Sequence, residues 1–137
     1  MNAPFIQETA FLNPYRPHLL PKILSPNLLK SFKGLPCTLR ISSFIPGHSC
    51  AGDDTCVPCH VSNVGKGMAT KGQVVGVASG CGNCHDLIDR RDTRYSYIEE
   101  RYPAAMQARI TAGLIETLTL LILKGVIMLP SDMQIKQ

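Results

Sequence analysis

The run Cys81-Gly82-Asn83-Cys84-His85-Asp86 sets two thiols and an imidazole within one turn of chain. Thiolate and imidazole at that density suit zinc better than any other common ion. Four more cysteines lie upstream, at Cys37, Cys50, Cys56 and Cys59, and His60 directly follows the last of them. Spacing alone offers two four-sulfur sites. Cys56 and Cys59 with Cys81 and Cys84 would make a zinc ribbon from two tight C-x-x-C turns. Cys37 and Cys50 with the same Cys81 and Cys84 would staple an upstream loop to a helix start. One ion uses four of the six cysteines, so two remain as buried small hydrophobes in either case.

His60 is left over beside the metal framework and is the best candidate for acid–base chemistry. A histidine in a short strand is usually a satisfied structural residue. Here, however, a glycine-rich basic loop (63–72) and then the C-x-x-C-H run follow it. Metal-dependent nucleases of the ββα-metal (HNH) type need that order. The histidine ending the first strand takes a proton from water, which attacks phosphorus. A divalent ion held from the following helix stabilises charge on the leaving oxygen. His85 is placed to hold that ion, with Asp89 on the same helical face at i+4 as a second ligand. The structural alternative for His85 is a hydrogen bond to a zinc-bound sulfur. Lys66, Lys71, Arg90 and Arg91 are cations for phosphate contacts, although each alone is more often a solvated surface charge. His18 lies in a proline-rich stretch, and His48 in a turn before Cys50, where it could substitute as a zinc ligand.

The elements that must position these groups fit one α+β domain, since 137 residues allow one real core and leave little for a second. Residues 1–33 read as a basic arm, with Pro4, Pro14, Pro17, Pro21 and Pro26 excluding a long helix or central strand. Residues 34–137 form the zinc-containing domain. Alternation predicts short strands over 37–41, 55–61 and 74–78, with loop chemistry at Pro46–Asp54. A helix is predicted from Cys84 to Arg91. A long C-terminal helix starts at Pro103, a favourable first position. Its apolar stripe is Ala105, Met106, Ile110, Leu114, Leu118, Leu121 and Ile122, and Lys124-Gly125 ends it.

The net charge of +4 is compatible with nucleic acid without being diagnostic. No basic n-region followed by an apolar h-region opens the chain, and the apolar run Leu118–Leu123 is too short to span a bilayer. A cytoplasmic setting without membrane contact is therefore expected, where six cysteines read as metal ligands rather than disulfides.

Taken in order, several features form a set: Cys37-x2-Arg40; Pro46-Gly47 leading to Cys50; Cys59-His60 with Ser62-Asn63; Gly65-Lys66-Gly67-Met68 with Lys71; Cys81-x2-Cys84-His85-Asp86 with Ile88-Asp89; and a closing helix ending Lys124-Gly125-Val126-Ile127. That set resembles the YbcO-type nucleases of lambdoid phages and prophages, a family related to HNH endonucleases. The resemblance runs from Cys37 to Ile127 and leaves out the arm. It implies a zinc-stapled ββα-metal fold, with structural Zn²⁺ on Cys37, Cys50, Cys81 and Cys84. It also implies a DNA nuclease site at His60 and His85 working with Mg²⁺ or Mn²⁺, in the bacterial host cytoplasm if phage-encoded. Two departures stand out. The Cys37–Cys50 segment is longer than the family pattern, and Val74 stands where that pattern tends to carry an acid. The rival functions are a non-catalytic zinc module binding nucleic acid through the same four cations, and a structural domain using the long helix as its contact face.

Overall fold

The computed structural model describes residues 25–61 and 76–136. The basic loop with Lys66, Lys71 and Val74, and the arm up to residue 24 with His18, lie outside the described residues. Elements are numbered among the described residues.

Pro26 opens a short helix, α1 (Pro26–Lys30), whose third-residue amide is capped when Ser25 Oγ accepts from Leu28 N at 3.2 Å. Just beyond it, buried Phe32 and Leu35 pack against Leu121 and Val77, with Leu28 and Leu29 alongside. The end of the arm is thus docked on the C-terminal helix, and Lys124 Nζ donates to Ser31 O at 3.0 Å.

Two four-residue strands, β1 (Val57–His60) and β2 (Val77–Gly80), form the antiparallel sheet. The register pairs Val57 with Gly80 and His60 with Val77. β2 is buried throughout, as a strand covered on both faces must be.

The strand expected over 37–41 is absent. Thr38 and Leu39 amides both donate to the single Ser79 carbonyl, at 2.9 and 3.2 Å. The chain then turns at Arg40, in a left-handed conformation (φ 48°), into a 3-10 turn over Ile41–Phe44. The reason is sulfur: Arg40 N–H bends back to Cys37 Sγ at 3.5 Å, and an extended chain would carry it away.

Cys81 caps the next helix, α2 (Gly82–Ile88), its Sγ accepting from Cys84 N at 3.4 Å. α3 (Tyr95–Arg101) follows, and Pro103 opens α4 (Pro103–Leu123). α4 ends at Lys124 with Gly125 at φ +80°, the expected left-handed stop. By length and composition α4 is apolar enough to cross a membrane (mean hydropathy 1.3), which the short Leu118–Leu123 run did not suggest.

The buried stripe of α4 is Met106, Ile110, Gly113, Thr117 and Leu121. Of the predicted stripe, Leu114, Leu118 and Ile122 are only half-buried and Ala105 is exposed. Two small residues sit at its centre because the helix presses on backbone. A Cβ on Gly113 would lie 2.9 Å from Thr38 O. Gly→Ala inside a helix ordinarily gains about 1 kcal/mol. Here the overlap is with a main chain that cannot swing aside, and overpacking costs about 1–3 kcal/mol. Gly113→Ala should therefore lower the urea or thermal midpoint, and a raised midpoint would show that the contact is looser.

Four side steps away, a closed ring of hydrogen bonds ties α4 to the sheet. Ser79 N donates to Thr117 Oγ1 (3.0 Å), and Thr38 Oγ1 donates to Ser79 O (3.0 Å). Thr38 has then spent its only proton, so Thr117 must donate across the 2.8 Å hydroxyl contact. Thr117→Val keeps the shape but strands the buried Ser79 amide, and should cost about 1–3 kcal/mol in chemical unfolding. Outside this ring, Arg40 grips both Glu116 oxygens at 2.9 Å.

Candidate functional site

Four sulfurs meet where the 37–51 segment crosses the start of α2. Cys37, Cys50, Cys81 and Cys84 have ligand atoms within 4.8 Å of one another. Cys50 Sγ lies 3.8 Å from both Cys37 Sγ and Cys84 Sγ. Tetrahedral zinc with bonds of about 2.3 Å demands sulfurs about 3.8 Å apart, so the donor set and its spacing fit a zinc ion. Hydrogen bonds of the kind that stabilise thiolates surround it. Ala51 N donates to Cys81 Sγ at 3.3 Å, and Ser42 Oγ lies 3.1 Å from Cys84 Sγ.

The thiols titrate as a metal-free cluster must. A hydrogen bond from Cys84 pulls Cys37 down to about 4, and the same bond pushes Cys84 up. Burial, reinforced by the charges of Cys37 and Cys81, pushes Cys50 up to about 12. Four ionised sulfurs cannot share this volume without a cation, and a bound cation would displace the retained protons.

Spacing left two cysteine sets open, and the geometry favours one. Cys56 and Cys59 stay outside the four-sulfur group. Both are buried free thiols, pushed upward by burial, to about 11 for Cys56. They behave as small hydrophobes. A Cβ on Gly80 would meet Cys59 Sγ at 2.6 Å, so glycine is what lets that sulfur lie under the sheet. His48 is likewise not among the clustered ligands.

The other face of α2 looks into a cavity of about 460 Å³. His60, at the end of β1, lines it together with Asp89, Arg90, Tyr95 and Glu99, and with the apolar Ile88, Pro103, Met106 and Ile110. His85 adjoins through Asp89, its Nε2 lying 2.9 Å from Asp89 Oδ2. Arg91 lies 3.1 Å from His85 Nδ1 and 2.9 Å from Asp86. A guanidinium only donates, so His85 Nδ1 accepts and its Nε2–H faces the Asp89 carboxylate. The alternative in which His85 hydrogen-bonds a zinc sulfur is not what the imidazole does.

Of the sequence-predicted cations, Arg90 borders the cavity, while Arg91 is engaged with Asp86, Asp89 and His85. Glu99, Tyr95 and Gln107 were missed as cavity residues. Glu99 and Tyr95 are four apart, one turn of helix, which could have placed them on one face. Nothing in the sequence, though, indicated that α3 closes over His60.

These features define a small α+β domain with a four-cysteine cluster that could hold a metal ion and a cavity lined by histidine and carboxylates. The family profile described as Putative nuclease YbcO matches residues 26–119, more than half the chain, and the chain belongs to that family. The match begins at α1, so it takes in the last part of the arm. No curated protein and no solved structure matches the chain.

Proposed function

We propose that this domain is a metal-dependent DNA endonuclease of the ββα-metal type, with His60 as general base. The observation that carries the reading is that His60 and Asp89 line one cavity, with Asp89 in turn against His85. The order β1, β2, α2 supports it, with the histidine ending β1 and the carboxylate ending the helix. His85 Nε2 and Asp89 Oδ2, 2.9 Å apart, have the spacing of neighbouring ligands of an octahedral ion, about 3.0 Å at bond lengths of about 2.1 Å; ligation by Nε2 would move its proton to Nδ1 and open the Arg91 contact there. Mg²⁺ or Mn²⁺ held there would supply positive charge at the leaving oxygen.

In the reaction, a water gives its proton to His60 as its oxygen bonds to phosphorus. The bond from phosphorus to the sugar oxygen breaks, that oxygen takes a proton from solvent, and His60 returns its own to bulk. Lys66 and Lys71 would hold flanking phosphates, while Arg91 holds Asp86 and Asp89. The four-cysteine site carries structural Zn²⁺. Six unpaired cysteines suit a reducing cytoplasm.

The test is cleavage of branched, single-stranded and supercoiled DNA with Mg²⁺ or Mn²⁺, comparing wild type with His60→Ala. Metal-dependent cutting by wild type alone is expected. A folded, zinc-loaded wild type that cuts none of the three would sink the reading in favour of a binding module.

A further inference from the structure

Helix α2 ends in a way that its sequence makes costly. Arg90 N donates to Leu87 O and Arg91 N to Asp86 O, both at 2.9 Å. This is the Schellman arrangement, which places Arg90 at the left-handed position that glycine usually fills. Arg90 indeed sits at φ 61°, a conformation unfavourable for a side chain with a Cβ. Strain of this kind persists where the side chain is needed.

That side chain goes to the cavity. Its guanidinium carbon lies 4.7 Å from the centroid of the Tyr95 ring, and Glu99 Oε1 lies 3.9 Å from its NH2. The lining therefore carries an arginine over a tyrosine ring, a carboxylate and the Gln107 amide, beside the apolar Ile88, Met106 and Ile110. Flat π surfaces with a few hydrogen-bonding groups suit an unstacked nucleobase. A phosphate alone would be better served by unpaired cations, and here the nearest cation is shared with a carboxylate.

We infer that the cavity takes the base of one unpaired nucleotide, stacked on the Arg90–Tyr95 pair, and sets the adjoining phosphate at His60. The preferred substrate is then single-stranded or locally unpaired DNA. This rests on the nuclease reading for the role of His60, but the base pocket itself does not.

Arg90→Gly tests it, since a cap and a ligand-binding residue respond in opposite directions. Zinc-loaded full-length protein is titrated, without added Mg²⁺ or Mn²⁺, with a fluorescent single-stranded DNA 20-mer and with its duplex. Wild type should bind the single strand at least tenfold more tightly than the duplex. Arg90→Gly should lose about tenfold on the single strand, one stacking contact's worth, while its melting midpoint stays level or rises. Tyr95→Leu should lose a similar factor. A duplex bound as tightly as the single strand overturns the proposal. So does an Arg90→Gly protein that melts lower yet binds unchanged, or an RNA 20-mer preferred to the DNA. Metal-dependent cutting confined to duplex would leave the nuclease reading standing and remove this one. Arg90-dependent single-strand binding without any cutting would do the reverse.

Discussion

Stripping the metal, or replacing Cys84 with serine, is expected to abolish the cooperative unfolding transition of the domain. Among the described residues the sheet is two strands of four residues, below what holds a fold by itself. Cys37, Cys81 and Cys84 belong to the main buried cluster with Leu39, Ile41 and Leu87. The core is thus built around the place where the ion would sit. Structural zinc contributes about 10–16 kcal/mol in comparable small sites, against a typical net stability of about 5–15 kcal/mol. The metal term is as large as everything left over, so its loss is not absorbed. Elemental analysis should find one zinc per chain, and circular dichroism melts before and after chelation should show the transition disappear. Cys56→Ser, a change outside the cluster, should retain the zinc. A wild type melting at the same midpoint after complete chelation would show that the four sulfurs need no ion.

Part of this was legible in the sequence. C-x-x-C-H marked the presence of a helix, although it runs over Gly82–Ile88 rather than Cys84–Arg91, because Cys81 rather than a later residue caps it and the chain turns left-handed at Arg90. Pro103 and Lys124-Gly125 bounded α4 for equally local reasons. What could not be read were the consequences of close approach. The apolar ranking favoured Leu114 and Leu118 for the inner face of α4, but the helix lies against the Thr38 backbone, where Gly113 and Thr117 fit. Alternation over 37–41 looked like a strand because the pattern is silent about a thiol that bends the chain through Arg40. Spacing offered Cys56 and Cys59 on equal terms with Cys37 and Cys50. Only the tertiary path separates them: the register sets Cys56 beside Cys81, with Val57 paired to Gly80, yet the sulfurs of Cys56 and Cys59 stay outside the four-sulfur group.

One short helix serves both centres. Cys81 and Cys84 face the sulfur cluster, while His85 and Asp89 point to the other side, where the cavity lies. An ion at the cysteines would therefore fix the roll of α2, and with it where His85 and Asp89 stand relative to His60. It follows that loss of activity on removing zinc says nothing about which residue performs the chemistry. The general base has to be tested with the zinc in place.

His60→Ala is accordingly expected to lower DNA cleavage by about 10²–10⁴-fold, the usual contribution of a positioned general base, with zinc content unchanged. His60 is only half-buried, at the end of β1, where truncation typically moves stability by no more than about 1 kcal/mol. Binding should change little, since the cations proposed to meet phosphates are other residues. His60→Gln sharpens the test: it keeps bulk and hydrogen bonding but cannot accept a proton at neutral pH, so it should be as inactive as alanine. Imidazole added to the alanine variant has a cavity to enter and should restore part of the rate, whereas the glutamine variant should not respond. Gel-based cleavage rates with parallel zinc analysis and melting curves decide the matter. If His60→Ala loses zinc or unfolds, His60 is a structural ligand. If the folded variant cuts at the wild-type rate, the proton goes to another group and the base must be sought again among the cavity residues, Glu99 first.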